Sequence, residues 1–220
     1  MPARTIAIGD IHGCLHALEA ILAAIEPTAA DTLVMLGDYI DRGPDSRGVV
    51  ERMLQLEQQL TLVPLMGNHE VMLLDVLHQR DDMRFWLKFG GRETLDSYGK
   101  RPEDIPLEHR EFFERLRPYH ETDRHFFVHA NYAADMPLAE QPDFLLYWEH
   151  LTPQFPPPRH ESGKTAIVGH TAQRSGEVLD LEHIVCIDTY CHGGGWLTAL
   201  DIASGKTWQA DKQGAMRESL

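Results

Sequence analysis

Carboxylates, imidazoles and a carboxamide recur in three short blocks of this chain: Gly9-Asp10-Ile11-His12-Gly13, Gly37-Asp38-Tyr39-Ile40-Asp41-Arg42-Gly43 and Gly67-Asn68-His69-Glu70. These side chains are the oxygen and nitrogen donors that suit manganese, iron or zinc, and one carboxylate has two oxygens with which to hold two ions together. Two divalent ions in one site acidify the water between them and polarise phosphoryl oxygens. The chemistry to expect is therefore metal-assisted hydrolysis of a phosphoester. No thiolate is needed, and no Cys stands in a ligand position of the three blocks.

Each block follows an apolar run: Thr5-Ile6-Ala7-Ile8, Leu33-Val34-Met35-Leu36 and Leu62-Val63-Pro64-Leu65-Met66. Runs of this length read as buried strands, which would deliver their polar clusters to one edge of a sheet. Between them, Leu15, Leu18, Ile21, Leu22 and Ile25 recur at helical spacing up to Glu26-Pro27, and Val49, Val50, Met53, Leu54 and Leu56 do so after Pro44. The motif glycines lie about thirty residues apart, the length of a strand with its crossover helix in a parallel α/β sheet. Two further histidines follow apolar runs, in Phe126-Phe127-Val128-His129 and Ala166-Ile167-Val168-Gly169-His170. Five predicted strand ends thus carry candidate donors.

Between these halves, residues 71–117 read as an irregular helical insert covering one side of the site. Its Phe85-Trp86-Leu87 and Phe112-Phe113 runs are taken as core packing, because helical spacing alone accounts for them. Late strands are expected at Ile184-Val185-Cys186-Ile187 and Trp196–Leu200, the latter forming a hairpin with Lys206-Thr207-Trp208 across Ser204-Gly205. Pro156-Pro157-Pro158 reads as a stiff loop, and the polar tail from Asp211 is expected to fray.

Bulk properties narrow the partners. The 220 residues fit one domain, 1–220, with an ample core. A net charge of −14 repels nucleic acid backbones and anionic membranes, so neither is an expected partner. No leader or membrane span is recognisable, and Cys14, Cys186 and Cys191 do not make a disulfide framework, which together suggest the cytoplasm. Nothing here fixes the oligomeric state.

Taken together, the three blocks with Val128-His129-Ala130, Val168-Gly169-His170-Thr171, Asp188-Thr189 and Gly193-Gly194 resemble the phosphoprotein-phosphatase type of the calcineurin-like metallophosphoesterase superfamily, particularly its short bacterial and phage members. The resemblance implies an α/β fold, an αββα sandwich of two mixed β-sheets flanked by helices, with a dinuclear metal site at the strand ends. It implies Asp10 and His12 on a first ion, Asp38 bridging, and Asn68, His129 and His170 on a second. It also implies His69 as general acid, oriented by Asp41, and Arg42 as the phosphate grip. The two ions are expected to be Mn2+, with Fe or Zn as alternatives, and a hydroxide between them to attack phosphorus in line. Asp10 and His12 would point the same way if strand geometry ran on through Ile11.

Phosphoserine or phosphothreonine in a protein is the first expected substrate, with another small phosphoester as an alternative partner. Symmetrical cleavage of bis(5'-nucleosyl) tetraphosphates is the alternative activity, since that group shares these motifs. A third possibility is an inactive binding module on the same fold; the intact donor set argues against it. The chain departs from the family pattern at three places. His150 in Trp148-Glu149-His150 stands where a second phosphate-gripping Arg is usual, so that either His150 substitutes weakly, Arg159 reaches in from the proline-rich loop, or turnover is slow. Asn131 and Tyr190 replace customary glycines, which suggests altered backbone angles or a reshaped pocket wall.

Overall fold

Alternation along the short strands sets up three layers of packing. In β1 (Thr5–Ile8) and β2 (Thr32–Met35), Ile6, Ile8, Leu33 and Met35 face one way, onto α1 (Leu15–Ile25) and α2 (Ser46–Glu57), while Ala7 and Val34 face the other. β3 (Thr61–Pro64) completes a parallel β1-β2-β3 run, in the register Ile6↔Leu33 and Leu33↔Leu62. Its terminal Pro64 is tolerated because β3 is the edge of the sheet. The structure is a computed structural model that describes residues 3–218.

After β3 the chain is helical: α3 (Asn68–Leu77), α4 (Met83–Trp86), a kinked turn at Leu87–Gly91 in which Gly90 leaves helical backbone (φ 109°), α5 (Arg92–Tyr98) and α6 (Leu107–Glu114). A second mixed sheet follows, ordered β4-β5-β6-β8-β7, from β4 (Tyr119–Glu121), β5 (His125–Val128), β6 (Thr165–Val168), β7 (Leu179–Asp180) and β8 (Ile184–Cys186). The helix α7 (Asp143–Tyr147) lies between β5 and β6 in sequence. β9 (Asp188–Thr189), β10 (Trp196–Asp201) and β11 (Thr207–Ala210) then return to the first sheet, where β10 pairs antiparallel with β1, β9 and β11. The expected hairpin is thus β10-β11.

The sheets meet through Ala7, Val34, Leu36, Val63, Phe127, Ile167, Ile187 and Leu200, which form a core between them. Phe126, Val128, Ala166 and Val168 turn outward onto Tyr132, Leu138 and Leu146. The result is the αββα sandwich of two mixed sheets. The tail, expected to fray, is held as far as Arg217, whose backbone N–H donates to the Gln209 carbonyl at 2.8 Å. Residues 219 and 220, the end of that tail, lie outside the described residues, as do Met1 and Pro2. Among the described residues, no helix is long and apolar enough to cross a membrane.

One ion pair locks the loop before β2. Asp31 accepts from the Arg4 guanidinium at 2.7 and 3.2 Å, from the Arg4 backbone N–H at 2.9 Å and from the Thr28 backbone N–H at 2.8 Å. The Arg4 hydrogen bond holds the Asp31 carboxyl well below the usual carboxylate range. A depressed folded-state pKa gives stability that is present above the unfolded value near 4 and lost as pH falls towards the folded one. Asp31→Asn should therefore lower stability by about 1.5–3 kcal/mol at neutral pH. In urea melts the gap between variant and parent should narrow below about pH 4; a gap that is independent of pH contradicts the ionic account.

Candidate metal centre

The site is assembled from the loops that leave β1, β2, β3, β5 and β6. Strand geometry stops early: β1 ends at Ile8, and His12 has a φ of 46°. Asp10 and His12 therefore do not share a face by strand alternation, and it is the turn that brings both into the site. Asp38 (φ 52°), Asp41 (φ 72°), Arg42 (φ 67°) and His170 (φ 61°) are left-handed too. Each such non-glycine residue costs on the order of 1 kcal/mol or more, and such strain gathers where function over-determines the backbone. Gly37 (φ 97°) permits a close approach, since a Cβ there would lie 2.8 Å from the Gly67 Cα.

Two groups of donors converge on Asp38, one on each carboxylate oxygen. Asp38 Oδ2 lies 3.5 Å from His12 Nε2 and 3.9 Å from His69 Nε2. Oδ1 lies 3.4 Å from His129 Nε2. Asn68 Oδ1 is 3.1 Å from both His129 Nε2 and His170 Nδ1. The ligand atoms within each of the groups His12/Asp38/His69 and Asp38/His129/His170 lie within 4.8 Å of one another.

The far nitrogen of each expected ligand histidine is anchored to a carbonyl. His12 Nδ1 reaches Ile40 O at 2.9 Å, His129 Nδ1 reaches Leu36 O at 2.7 Å and His170 Nε2 reaches Trp148 O at 3.1 Å. A ring nitrogen that donates to a carbonyl must carry the proton, which leaves the other with its lone pair facing the cluster. Burial lowers the pKa of all three, that of His170 to about 3, so they present neutral imidazoles. Burial opposes ionisation of Asp38, yet positive charge in the ring cluster around it, which His69 carries when the other three rings are neutral, holds its carboxyl below the usual range. This is a donor set that fits divalent cations.

Asp10 stands to the side. Its carboxylate accepts from the His170 backbone N–H at 3.0 and 3.2 Å and falls in neither group, whereas His69 falls in the first. Burial and the charges of Asp188 and Asp38 raise the Asp10 pKa well above normal, and burial pushes Asp188 to about 6. Three buried carboxylates crowded together in this way are what bound cations would relieve.

Next to them sits a hydrogen-bonded pair. Asp41 Oδ2 accepts from His69 Nδ1 at 2.6 Å and from Trp86 Nε1 at 2.8 Å, while Oδ1 accepts from Thr94 Oγ1 at 2.6 Å. Asp41 and His69 are both 0% exposed, and His69 Nε2 has no hydrogen-bond partner among the described residues. Burial alone would lower the His69 pKa, but Asp38 and Asp41 outweigh it and raise the value. Trp86 is thus more than packing: it and Thr94 bring the helical stretch directly onto Asp41.

Glu70 is a support that carried no separate role in the sequence. Its carboxylate accepts backbone N–H bonds from Asp38 (2.8 Å), Tyr39 (2.8 Å), Ile40 (3.3 Å) and Gly67 (3.1 Å). The visible signal was its place three residues after Gly67, the position that caps a helix start. Glu70→Gln sets an amide NH2 against two of these donors and should cost about 1–3 kcal/mol. Thermal melts of metal-free protein check this, and an unchanged Tm would dismiss the clamp.

Of the departures, His150 stacks on His170, with ring centroids 4.3 Å apart and planes at 20°. Arg159 does not reach the site; its Nη1 donates to Gly163 O at 3.3 Å. Tyr190 keeps the left-handed backbone usual for glycine (φ 67°), whereas Asn131 is not among the positive-φ residues. His192, which the sequence reading passed over, lies with its ring 4.8 Å from that of His12 and its Nε2 3.2 Å from Arg42 Nη1. Burial and Arg42 lower its pKa to about 4. Arg42 Nη1 also lies 3.0 Å from His12 Nε2, so the guanidinium is at the mouth of the site.

The family model for calcineurin-like phosphoesterases matches residues 3–193. The chain belongs to this family. A curated relative from Cellvibrio japonicus, named symmetrical bis(5'-nucleosyl)-tetraphosphatase, is 31% identical over 162 residues, 67% of this phosphoesterase and 57% of the relative. The matches span 42%, 57% and 34% of the first three curated relatives, all so named. Among solved structures, one of a candidate diadenosine tetraphosphatase superposes with a TM-score of 0.73 at 23% identity, covering 96% of this phosphoesterase and 95% of that chain. A cold-active protein tyrosine phosphatase superposes with a TM-score of 0.70 at 18% identity, covering 99% and 78%. At such identities these likenesses speak for the fold alone.

Proposed function

We propose that this calcineurin-like phosphoesterase is a two-metal hydrolase whose substrates are dinucleoside polyphosphates, cut symmetrically. The observation that carries the hydrolytic reading is Asp38, with one oxygen turned to each donor group. The names of the curated relatives support the dinucleotide over the phosphoprotein first expected from the sequence. Asp38 would be shared by both ions, with Asp10 and His12 on one side and Asn68, His129 and His170 on the other. The oxygen-and-nitrogen donor set suits manganese, and a reducing, cytoplasmic setting agrees with three free cysteines. When bound, the ions supply an ionised water as nucleophile and polarise the phosphoryl oxygens.

The chain's own groups do the rest. Arg42 offers its planar fork to nonbridging phosphate oxygens. His69, with its buried Nε2 unpartnered, holds a proton for the leaving oxygen, and Asp41 keeps it in the charged form. Trp86 and Thr94 fix Asp41 in that orientation. The fold from β1 through β11 acts here as one catalytic unit, with the helical stretch as its side wall.

The test is a comparison of diadenosine tetraphosphate with a phosphoserine peptide, both with added manganese. The expected result is ADP as sole nucleotide product, formed faster than phosphate from the peptide. ATP and AMP as products, or faster peptide turnover, would overturn the assignment. Loss of both reactions in chelator, with recovery on metal addition, checks the two-metal reading separately.

A further inference from the structure

From the mouth of the metal site a pocket of about 390 Å³ runs along the kinked turn at Leu87–Gly91, lined by Arg42, Leu87, Lys88, Phe89, Gly90 and Arg92, with Glu93 at its rim. We infer that this pocket is a second binding subsite, which takes the distal phosphates and the base of a nucleoside polyphosphate whose reacting phosphate lies over the metal centre. The inference rests on the proposed dinucleotide reading and deepens it.

Charge is the first argument. In a chain of net charge −14, three cations meet in this one pocket against a single carboxylate. Neither Lys88 nor Arg92 forms an ion pair with a carboxylate among the described residues, so their charges are available to an anion. Arg42 belongs to both places, which gives a phosphate chain a continuous path outward from the reacting centre.

Aromatic surface is the second. Phe89 is 40% exposed, and its ring lies 4.9 Å from that of Phe85, itself 43% exposed. Large apolar side chains left open beside cations suit a ligand that joins a planar π-face to negative charge, as a nucleotide does. A third argument is that the wall is built rather than loose. Arg42 donates its backbone N–H to Gly90 O at 3.2 Å, and its Nε lies 3.4 Å from Phe89 O. Gly90 has a φ of 109°, and a Cβ there would come within 2.6 Å of Arg42 N.

The test uses the full chain with Phe89→Ala, Phe89→Tyr and the double variant Lys88→Ala/Arg92→Ala. ADP and inorganic phosphate are titrated calorimetrically with and without manganese, and turnover is measured on diadenosine tetraphosphate and p-nitrophenyl phosphate. Phe89→Ala and the double variant should each lose about tenfold in ADP affinity and in kcat/KM for the dinucleotide. Phe89→Tyr should restore both, with phosphate affinity and p-nitrophenyl phosphate turnover staying within about twofold of the parent, because those probes reach only Arg42. Parent protein that binds ADP no tighter than phosphate, or variants that lose the small substrate or a phosphoserine peptide as much as the dinucleotide, would overturn the subsite. Phe89-dependent ADP binding without cleavage of diadenosine tetraphosphate would support the subsite while rejecting the proposed reaction.

Discussion

Asp38→Asn is expected to abolish the paired metal site while leaving the fold in place. The side chain is the one group whose two oxygens face both donor sets, and an amide keeps its shape but gives up the negative charge. Metal content, measured on protein equilibrated with manganese and then desalted, should drop from two ions per chain to one or none. Turnover should fall by about three orders of magnitude or more, because paired ions supply several kcal/mol to the transition state and each 1.36 kcal/mol is a factor of ten. Asparagine is also among the residues that best tolerate the left-handed backbone found here, so the melting curve should change little. Two tightly held ions in the variant would refute Asp38 as the bridge.

The second large effect is expected at His69, and its size should depend on the leaving group. His69→Gln should still bind metal through the remaining donors, yet it removes the proton held at the buried, unpartnered Nε2. General acid catalysis is worth about 10²–10⁴, realised only when the departing oxygen is basic. Phenyl phosphate should therefore lose about that much, and p-nitrophenyl phosphate far less. A dinucleoside tetraphosphate, which expels a weakly basic phosphate oxygen, should resemble the nitrophenyl ester. Equal losses for all three would remove His69 from the acid role and leave it as a ligand, the alternative that its proximity to Asp38 allows.

Much of this centre was legible in the residues because its chemistry is demanding about side-chain type and place. Oxygen and nitrogen donors after short apolar runs leave few readings, and the runs themselves gave the parallel β1-β2-β3 order through their spacing. What failed to show was whatever depends on backbone that is neither helix nor strand. Asp10 and His12 looked like alternate residues of one strand, yet a left-handed turn intervenes at His12. Trp86 and Thr94 lie 45 and 53 residues from Asp41, and their spacing fits core packing equally well. Only the fold brings them to that carboxylate. His192 was missed for a similar reason: it lies 150 residues from Arg42, in a glycine-rich turn with no apolar run of its own before it.

The cluster of positive backbone angles at His12, Asp38, Asp41, Arg42 and His170 has a consequence for how the molecule breathes. Every one of these residues sits in a connection, while the strands beside them carry none of the five. Stripped of counter-ions, the connections hold repulsive carboxylates in awkward torsions, and local opening there relieves both burdens without disturbing the sheets. Amide hydrogen exchange should then quicken in the loops after β1, β2 and β6 on metal removal, and it should slow again when manganese is returned.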